Sequence, residues 1–565
     1  MIMKRFLTVW AFALVACLSW AQAPVQDIQE LQRPKLVVGL VVDQMRWDYL
    51  TRYADRYCDG GFRRMMREGW NCNRTLINYL PCITAVGHTS IYTGSVPAIT
   101  GIVSNTFFID GKKTYCTEDD AVKAVGAYDK NGKPSATARA GLESPHNLLV
   151  TTMTDELRMA TNFRSKTVGV ALKDRASILP AGHSATAAYW MDGYSTNFIT
   201  STYYMNELPK WVKKFNDQKL GDKYANEHLA FANKSIKGGP WELLYDEKTY
   251  VQSAPKNQKW ENTFGYDLKN SPWGMKITFD MAKAAVEGEN LGNNPAGVPD
   301  FLAVSISSTD MVGHRISPNS IWMEDMYLRL DLDIADFLSF LDEKVGKGNW
   351  ILFLSADHAG AHNVEWRHEH KIPSDIWGEN PIIEGLNAHL RKTFPLLMEN
   401  PVMSLTSQQV HFTNDVQTIS DYPKILTEAI AYLNTLPEVS YAFNMAAIPD
   451  FVPEPIRTNA INGYCPHRSG QIQIIPRPGV TEDFSKTSDI QKDGFVSKGT
   501  NHIAWSPDDS HIPLIFMGWG VPHGWDNRTH HITDIAATIT ALLNIQQPNG
   551  CVGEVIEMNP RRTRR

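Results

Sequence analysis

The chain has 565 residues, a formal net charge of −6 and an aromatic content of 10%. That composition excludes an intrinsically disordered chain and gives no electrostatic footing for a nucleic-acid or anionic-membrane partner. The length admits a large buried core and more than one domain.

Lys4 and Arg5 precede an apolar run from Phe6 to Ala16, and Ala21-Gln22-Ala23 offers a small-residue cleavage site. Residues 1–23 read as a secretory signal peptide and 24–565 as the mature chain, exported to the periplasm or secreted. Leu14-Val15-Ala16-Cys17 supports an alternative, a lipoprotein anchored through Cys17. No later run has the length of a membrane span. Beyond the leader stand Cys58, Cys72, Cys82, Cys116, Cys465 and Cys551. Four of these fall in the first quarter, where local disulfides are expected in an exported protein.

Leu36 to Val42 is a continuous apolar, β-branched run ending at Asp43, the pattern of a strand buried on both faces of a parallel sheet. In the stretch Asn78 to Ser90, Pro81 keeps the preceding residue out of a helix. A helix beginning near Thr84 puts its hydroxyl at a helix N-terminus, where free N–H groups favour negative charge. A hydroxyl there serves as a cap or as a nucleophile, and the stretch alone favours the cap. Thr167 to Leu172 is a further strand, running into Lys173-Asp174-Arg175. Phe301 to Ser307 runs into Asp310 and His314, and Trp350 to Ser355 into Asp357 and His358. Helical spacing from Met323 to Val345 separates these two strands, which makes a right-handed βαβ unit. Four strands ending in charged residues imply one shared edge, where sites form in open α/β sheets. Residues 186–275 and 360–500 are polar and loop-rich and read as insertions covering the sheet. The core resumes at Gly499-Thr500-Asn501-His502, a strand Ile512 to Met517 and a helix Ile532 to Leu543.

Asp43, Asp310, His314, Asp357, His358 and His502 supply oxygen and imidazole ligands with no thiolate, a set that suits Zn²⁺ first. Asp310 and His314 have the spacing that places two side chains on one helical turn. Each motif alone is commonly a surface pair or a turn cap; on converging strand ends the set favours metal. His362, His368 and His370 are expected as surface or supporting groups, and His88 as packing against the sheet. Cys82 is expected to be buried, disulfide-bonded or turned away, since a free thiol would compete for the metal.

This ordered set, from Pro34 through Asp48 to Gly499-Thr500-Asn501-His502, resembles the alkaline phosphatase superfamily. Within it, the set is similar to the single-threonine secreted bacterial phosphatases of the PafA type. The resemblance implies an α/β three-layer sandwich around a mostly parallel sheet, with cap insertions. It implies two Zn²⁺ per chain, one held by Asp310, His314 and His502, the other by Asp43, Asp357 and His358 with Thr84 Oγ. It also implies that Thr84 forms a phosphothreonine later hydrolysed by water, and that Asn105 donates to a phosphoryl oxygen. Lys173 and Arg175 match a pair assigned to monoesterases; alternation along an extended segment would turn both toward the site and Asp174 away. A dianionic phosphoryl group leaves more charge to neutralise than a diester does, so two extra cations favour monoesters. The expectation is a monomeric, exported, zinc-dependent alkaline phosphatase acting on small phosphate monoesters. The alternative is a phosphodiesterase or nucleotide pyrophosphatase of the same superfamily. A non-catalytic zinc- or phosphate-binding protein is disfavoured, having no use for a hydroxyl at a metal. A sulfatase is disfavoured because the residues around Cys82 lack the Cys/Ser-x-Pro/Ala-x-Arg context of formylglycine maturation.

Overall fold

A computed structural model describes residues 32–229, 240–254, 268–482, 499–502 and 505–559. The expected leader, with Cys17, lies outside them. Continuous apolar runs must be covered on both faces, and they form the middle of the main sheet of the unit Pro34–Arg565. Trp350–Ser355, Leu36–Val42, Asp300–Ile306, Thr167–Ala171 and Ala187–Met191 lie side by side in that order, all parallel and all buried. Val41 pairs with both Ser355 and Ser305, and Ser305 with Ala171, so the carboxyl ends of four strands meet at one edge. Leu514–Gly518 and Phe198–Ser201 flank this block antiparallel.

Two groups of helices cover the sheet. Thr84–Thr93, Met153–Ala160, Asp174–Ala181 and Asp534–Leu543 pack among themselves, as do Lys210–Asp217, Pro272–Glu289 and Ile321–Leu341. Both groups lie against Thr167–Ala171 and Asp300–Ile306, which gives the expected three-layer α/β arrangement. Ile321–Leu341 is the crossover of the βαβ unit, and its start is capped by Ser320, whose hydroxyl accepts from Met323 N.

Three expectations need correction. The strand Ile512 to Met517 is broken at Pro513, which has no N–H to give to a ladder. His511–Ile512 and Leu514–Gly518 pair separately with Trp70–Leu76. The region from 186 begins inside the main sheet, because Ala187–Met191 and Phe198–Ser201 are strands of it. Cys58, Cys72, Cys82 and Cys116 are free thiols, as are Cys465 and Cys551, so the expected local disulfides are not formed.

Within 360–500, Val402–Thr406, Gln409–Phe412, Ile472–Pro476 and Val439–Asn444 make a separate four-stranded antiparallel sheet. It is backed by the helices Glu379–Thr393 and Tyr422–Leu433, and Leu386, Leu390, Phe412, Ile425, Leu433 and Ile474 form its own buried cluster. Among the described residues, no helix is long and apolar enough to cross a membrane.

Candidate active site

The strand ends deliver the acidic groups. Asp43 follows Leu36–Val42 directly, Asp357 lies just beyond Trp350–Ser355, and Asp310 sits on the short helix Ser308–Gly313 after Asp300–Ile306. That helix brings His314 one turn past Asp310, with His314 N donating to Asp310 O at 2.9 Å. His502 arrives from a remote segment. Thr500 N donates to Gly313 O at 2.8 Å, and Gly499 lies so close to the His314 carbonyl that a Cβ there would collide with it.

Two groups of potential ligands result. Asp310, His314 and His502 offer atoms within 4.8 Å of one another, and so do Asp43, Asp310 and His358. Asp310 thus belongs to both groups, where the sequence reading assigned it to one. Asp357 adjoins the second, its Oδ2 3.4 Å from His358 Nε2. The rings of His358 and His502 stack with centroids 3.5 Å apart, so the two groups are continuous.

The protonation pattern makes this cluster a cation site. Nδ1 of His314 contacts Thr500 O at 3.0 Å, Nδ1 of His358 contacts Ala359 O at 3.0 Å, and Nδ1 of His502 contacts Cys82 O at 2.8 Å. A carbonyl only accepts, so each Nδ1 carries the proton. On His358 and His502 Nε2 of the neutral ring presents a lone pair, whereas on His314 burial is outweighed by Asp310, which draws that ring toward its protonated form. Those Nε2 atoms face carboxylate oxygens: His314 and His502 stand 3.1 and 3.3 Å from Asp310 Oδ1, and His358 stands 3.4 Å from Asp43 Oδ1. Burial holds His358 and His502 below the usual imidazole range, hence neutral. Buried acceptors face to face repel unless a cation lies between them. Asp43 Oδ1 and Asp357 Oδ2 are buried without a hydrogen-bond partner. Burial and the neighbouring carboxylates push both acids up, Asp357 to about 7. Asp310 is instead held below the usual range: burial works against it, but His314 and Lys173 outweigh burial. An oxygen and imidazole set of this kind fits divalent metal.

Thr84 is the first residue of the helix Thr84–Thr93, and Ile83 occupies the cap position. Its Oγ1 lies 3.5 Å from His358 Nε2. The helix packs backbone to backbone on the metal cluster: a Cβ at Gly87 would collide with the Asp357 carbonyl. Asn105 is tied to the same helix, its Oδ1 accepting from Ala85 N at 2.9 Å, which leaves its amide hydrogens as the outward donors. Lys173 Nζ donates to Asp43 Oδ2 and Asp310 Oδ2, both at 2.6 Å. Burial opposes its charge, but Asp310 and Asp43 keep its pKa raised. Arg175 donates to the Tyr115 hydroxyl and bears electrostatically on Asp43 and His88. The alternation argument for the pair does not hold, because the strand stops at Ala171 and a helix begins at Asp174, with Lys173 as its cap residue.

Some contributors escaped the sequence reading. Gln44 donates from Nε2 to Asp310 Oδ1, and Cys82 matters through its carbonyl, which fixes His502 while its thiol stays buried. His88 does more than pack: its Nδ1 lies 3.0 Å from Thr84 O and 3.2 Å from Asp357 Oδ2, and its Nε2 meets Ser305 Oγ at 2.8 Å. The spacing to residue 84 was the only available signal. His362 contacts Arg46 and Asn319, His368 contacts Ser374 O and His370 contacts Trp366 O, and neither metal group includes them.

Residues 37–501 match the family described as type I phosphodiesterase / nucleotide pyrophosphatase. The chain belongs to this family. Among its family relatives is the alkaline phosphatase PafA of Elizabethkingia meningoseptica, 43% identical over 558 residues, 94% of this chain and 95% of that one. A protein of Myroides odoratus named as a calcium-transporting ATPase is 47% identical over 554 residues, covering 94% of this chain and 95% of the other. The crystal structure of wild-type PafA superposes with a TM-score of 0.83 at 42% identity, covering 93% of this chain and 99% of that chain. A second PafA structure, with the same score and coverage, is of a variant in which a threonine, an asparagine, a lysine and an arginine are replaced.

Proposed function

We propose that this family member is a secreted or periplasmic alkaline phosphatase that hydrolyses phosphate monoesters through Thr84. The observation that carries the proposal is the set of three histidines, each fixed through Nδ1 by a carbonyl, that turn Nε2 onto buried carboxylates beside the Thr84 hydroxyl. Asp310, His314 and His502 would hold one Zn²⁺, and Asp43, Asp357 and His358 the other. Bound there, the ions supply Lewis-acid stabilisation of charged oxygens and lower the pKa of a nearby hydroxyl.

The chain's own residues do the rest. Thr84 Oγ, at a helix N-terminus, attacks phosphorus in line and displaces the alcohol, giving a phosphothreonine that water hydrolyses. The open N–H groups of that helix favour the negative charge gathering there. Asn105, its Oδ1 already engaged by Ala85 N, donates to a phosphoryl oxygen. Arg175 Nε is buried without a partner, which supports its use as a donor to the same group. Lys173 adds positive charge between the two metal groups. The four side-chain types altered in the PafA variant are the four assigned here to phosphoryl handling. The two relatives' names share a reaction type, since an ATPase and a phosphatase both transfer a terminal phosphoryl group to water.

The deciding experiment compares p-nitrophenyl phosphate with bis-p-nitrophenyl phosphate at alkaline pH, before and after chelation and zinc restoration. Preference for the monoester, lost on chelation, restored by zinc and absent in Thr84→Ala, is the expected result. Preference for the diester would assign the site to the phosphodiesterase branch of the family.

A further inference from the structure

Arg175 Nη1 donates to the Tyr115 hydroxyl at 3.0 Å, and that hydroxyl donates onward to Asp174 Oδ1 at 2.6 Å. Asp174 Oδ1 also accepts from Arg175 N at 2.5 Å. The phenol therefore stands between a carboxylate and a guanidinium on adjacent residues, two groups that otherwise attract each other strongly.

Tyr115 is itself fixed. Its N donates to Glu118 Oε2 at 3.2 Å, its O accepts from Asn147 Nδ2 at 3.3 Å, and the Arg139 guanidinium lies 6.0 Å from its ring centre. It closes a two-stranded hairpin, Thr106–Ile109 against Lys112–Tyr115, in which Thr106 pairs with Tyr115. Cys116 N then donates to Asn105 O at 3.0 Å. One hairpin base thus carries Asn105 and the hydroxyl that holds Arg175.

We infer that Tyr115 is a positioning residue for phosphoryl recognition: its hydroxyl keeps Arg175 out of a direct pair with Asp174 and turned toward the substrate phosphoryl group, which makes it a determinant of monoester over diester preference. This rests on the role proposed for Arg175.

The test measures kcat/KM on p-nitrophenyl phosphate and on bis-p-nitrophenyl phosphate for Tyr115→Phe, Arg175→Ala, the double variant, and Tyr115→Phe with Asp174→Asn. Tyr115→Phe should lower the monoester value roughly tenfold, the scale of a charge-assisted hydrogen bond, and leave the diester value unchanged. It should add nothing to Arg175→Ala, and removing the Asp174 charge should restore part of the loss. A merely structural role would lower both substrates together, multiply with Arg175→Ala and show no rescue; that pattern overturns the inference. A selective Arg175→Ala beside an unaffected Tyr115→Phe overturns it alone. An Arg175→Ala that lowers both substrates equally overturns the role of Arg175 and this inference with it.

Discussion

Gln44 donates from Nε2 to Asp310 Oδ1 at 2.7 Å while its main-chain N donates to Asp357 Oδ1 at 3.2 Å. One residue thereby steadies a carboxylate in each of the two proposed ligand sets. Its backbone has a φ of 61°, in the left-handed region that side chains other than glycine seldom adopt. Strain of this kind persists where the surroundings fix it, here next to Asp43 at the strand end.

Gln44→Gly should keep the backbone conformation and the contact to Asp357 while removing the donor to Asp310. Outer partners of metal ligands are typically worth about 10–100-fold in metal affinity, so this variant should need that much more free zinc to regain activity after chelation. Titration of zinc into the chelated protein decides it; identical curves for parent and variant would remove Gln44 from the site's support.

Gly87 lets the Thr84 helix touch the Asp357 backbone. Gly87→Ala has no flexible side chain to push aside there, only main chain. Overpacking of this type costs about 1–3 kcal/mol, and here the displacement falls between the proposed nucleophile and a metal ligand. The variant should lose activity well beyond what its denaturation midpoint accounts for. A fully active, equally stable Gly87→Ala would contradict the close packing.

His88 ties the Thr84 helix to the strand Asp300–Ile306, its Nε2 meeting Ser305 Oγ while its Nδ1 meets Thr84 O. His88→Ala leaves Ser305 Oγ buried without that partner beside a cavity, while Thr84 O keeps its helical bond, a loss of about 2–4 kcal/mol. Urea denaturation at neutral pH measures it, and a change near zero would mean that the sheet tolerates the gap.

The sheet was readable because its central strands are uninterrupted apolar runs, and their ends named Asp43, Asp310 and Asp357 without help from tertiary structure. What escaped were partners chosen by the fold. Gln44 meets a carboxylate far along the chain, Cys82 acts through a carbonyl that looks like any other, and Tyr115 sits in a polar hairpin with no periodic signal. The pair Lys173 and Arg175 illustrates a wrong local premise. Strand alternation was assumed across residues where the backbone turns from strand into helix, so their placement depends on Tyr115, Asp43 and Asp310 instead. The boundary at 186 failed for a related reason, since Ala187–Met191 and Phe198–Ser201 lie at the polar margin of the region read as insertion.

His411, on Gln409–Phe412, meets the Phe108 ring at a tilt with centroids 4.6 Å apart and joins the smaller sheet to the Asn105 hairpin. Burial, helped by Lys113, pulls its pKa down from 6.5 to about 4. The folded protein therefore resists protonating this ring, whereas the unfolded chain protonates it near the ordinary value. Its contribution to stability is complete above the unfolded pKa and is lost as pH falls toward the folded one, at about 1.4 kcal/mol per pH unit. His411→Phe retains an aromatic partner for Phe108 and removes the titrating group. Between neutral pH and the pH of the folded transition, the parent should lose about 2–3 kcal/mol more than the variant, read from denaturant midpoints at each pH. Other buried histidines titrate in both proteins and cancel in the comparison, being distant from this site. Parallel stability curves for parent and variant would mean that His411 is as easily protonated in the fold as out of it.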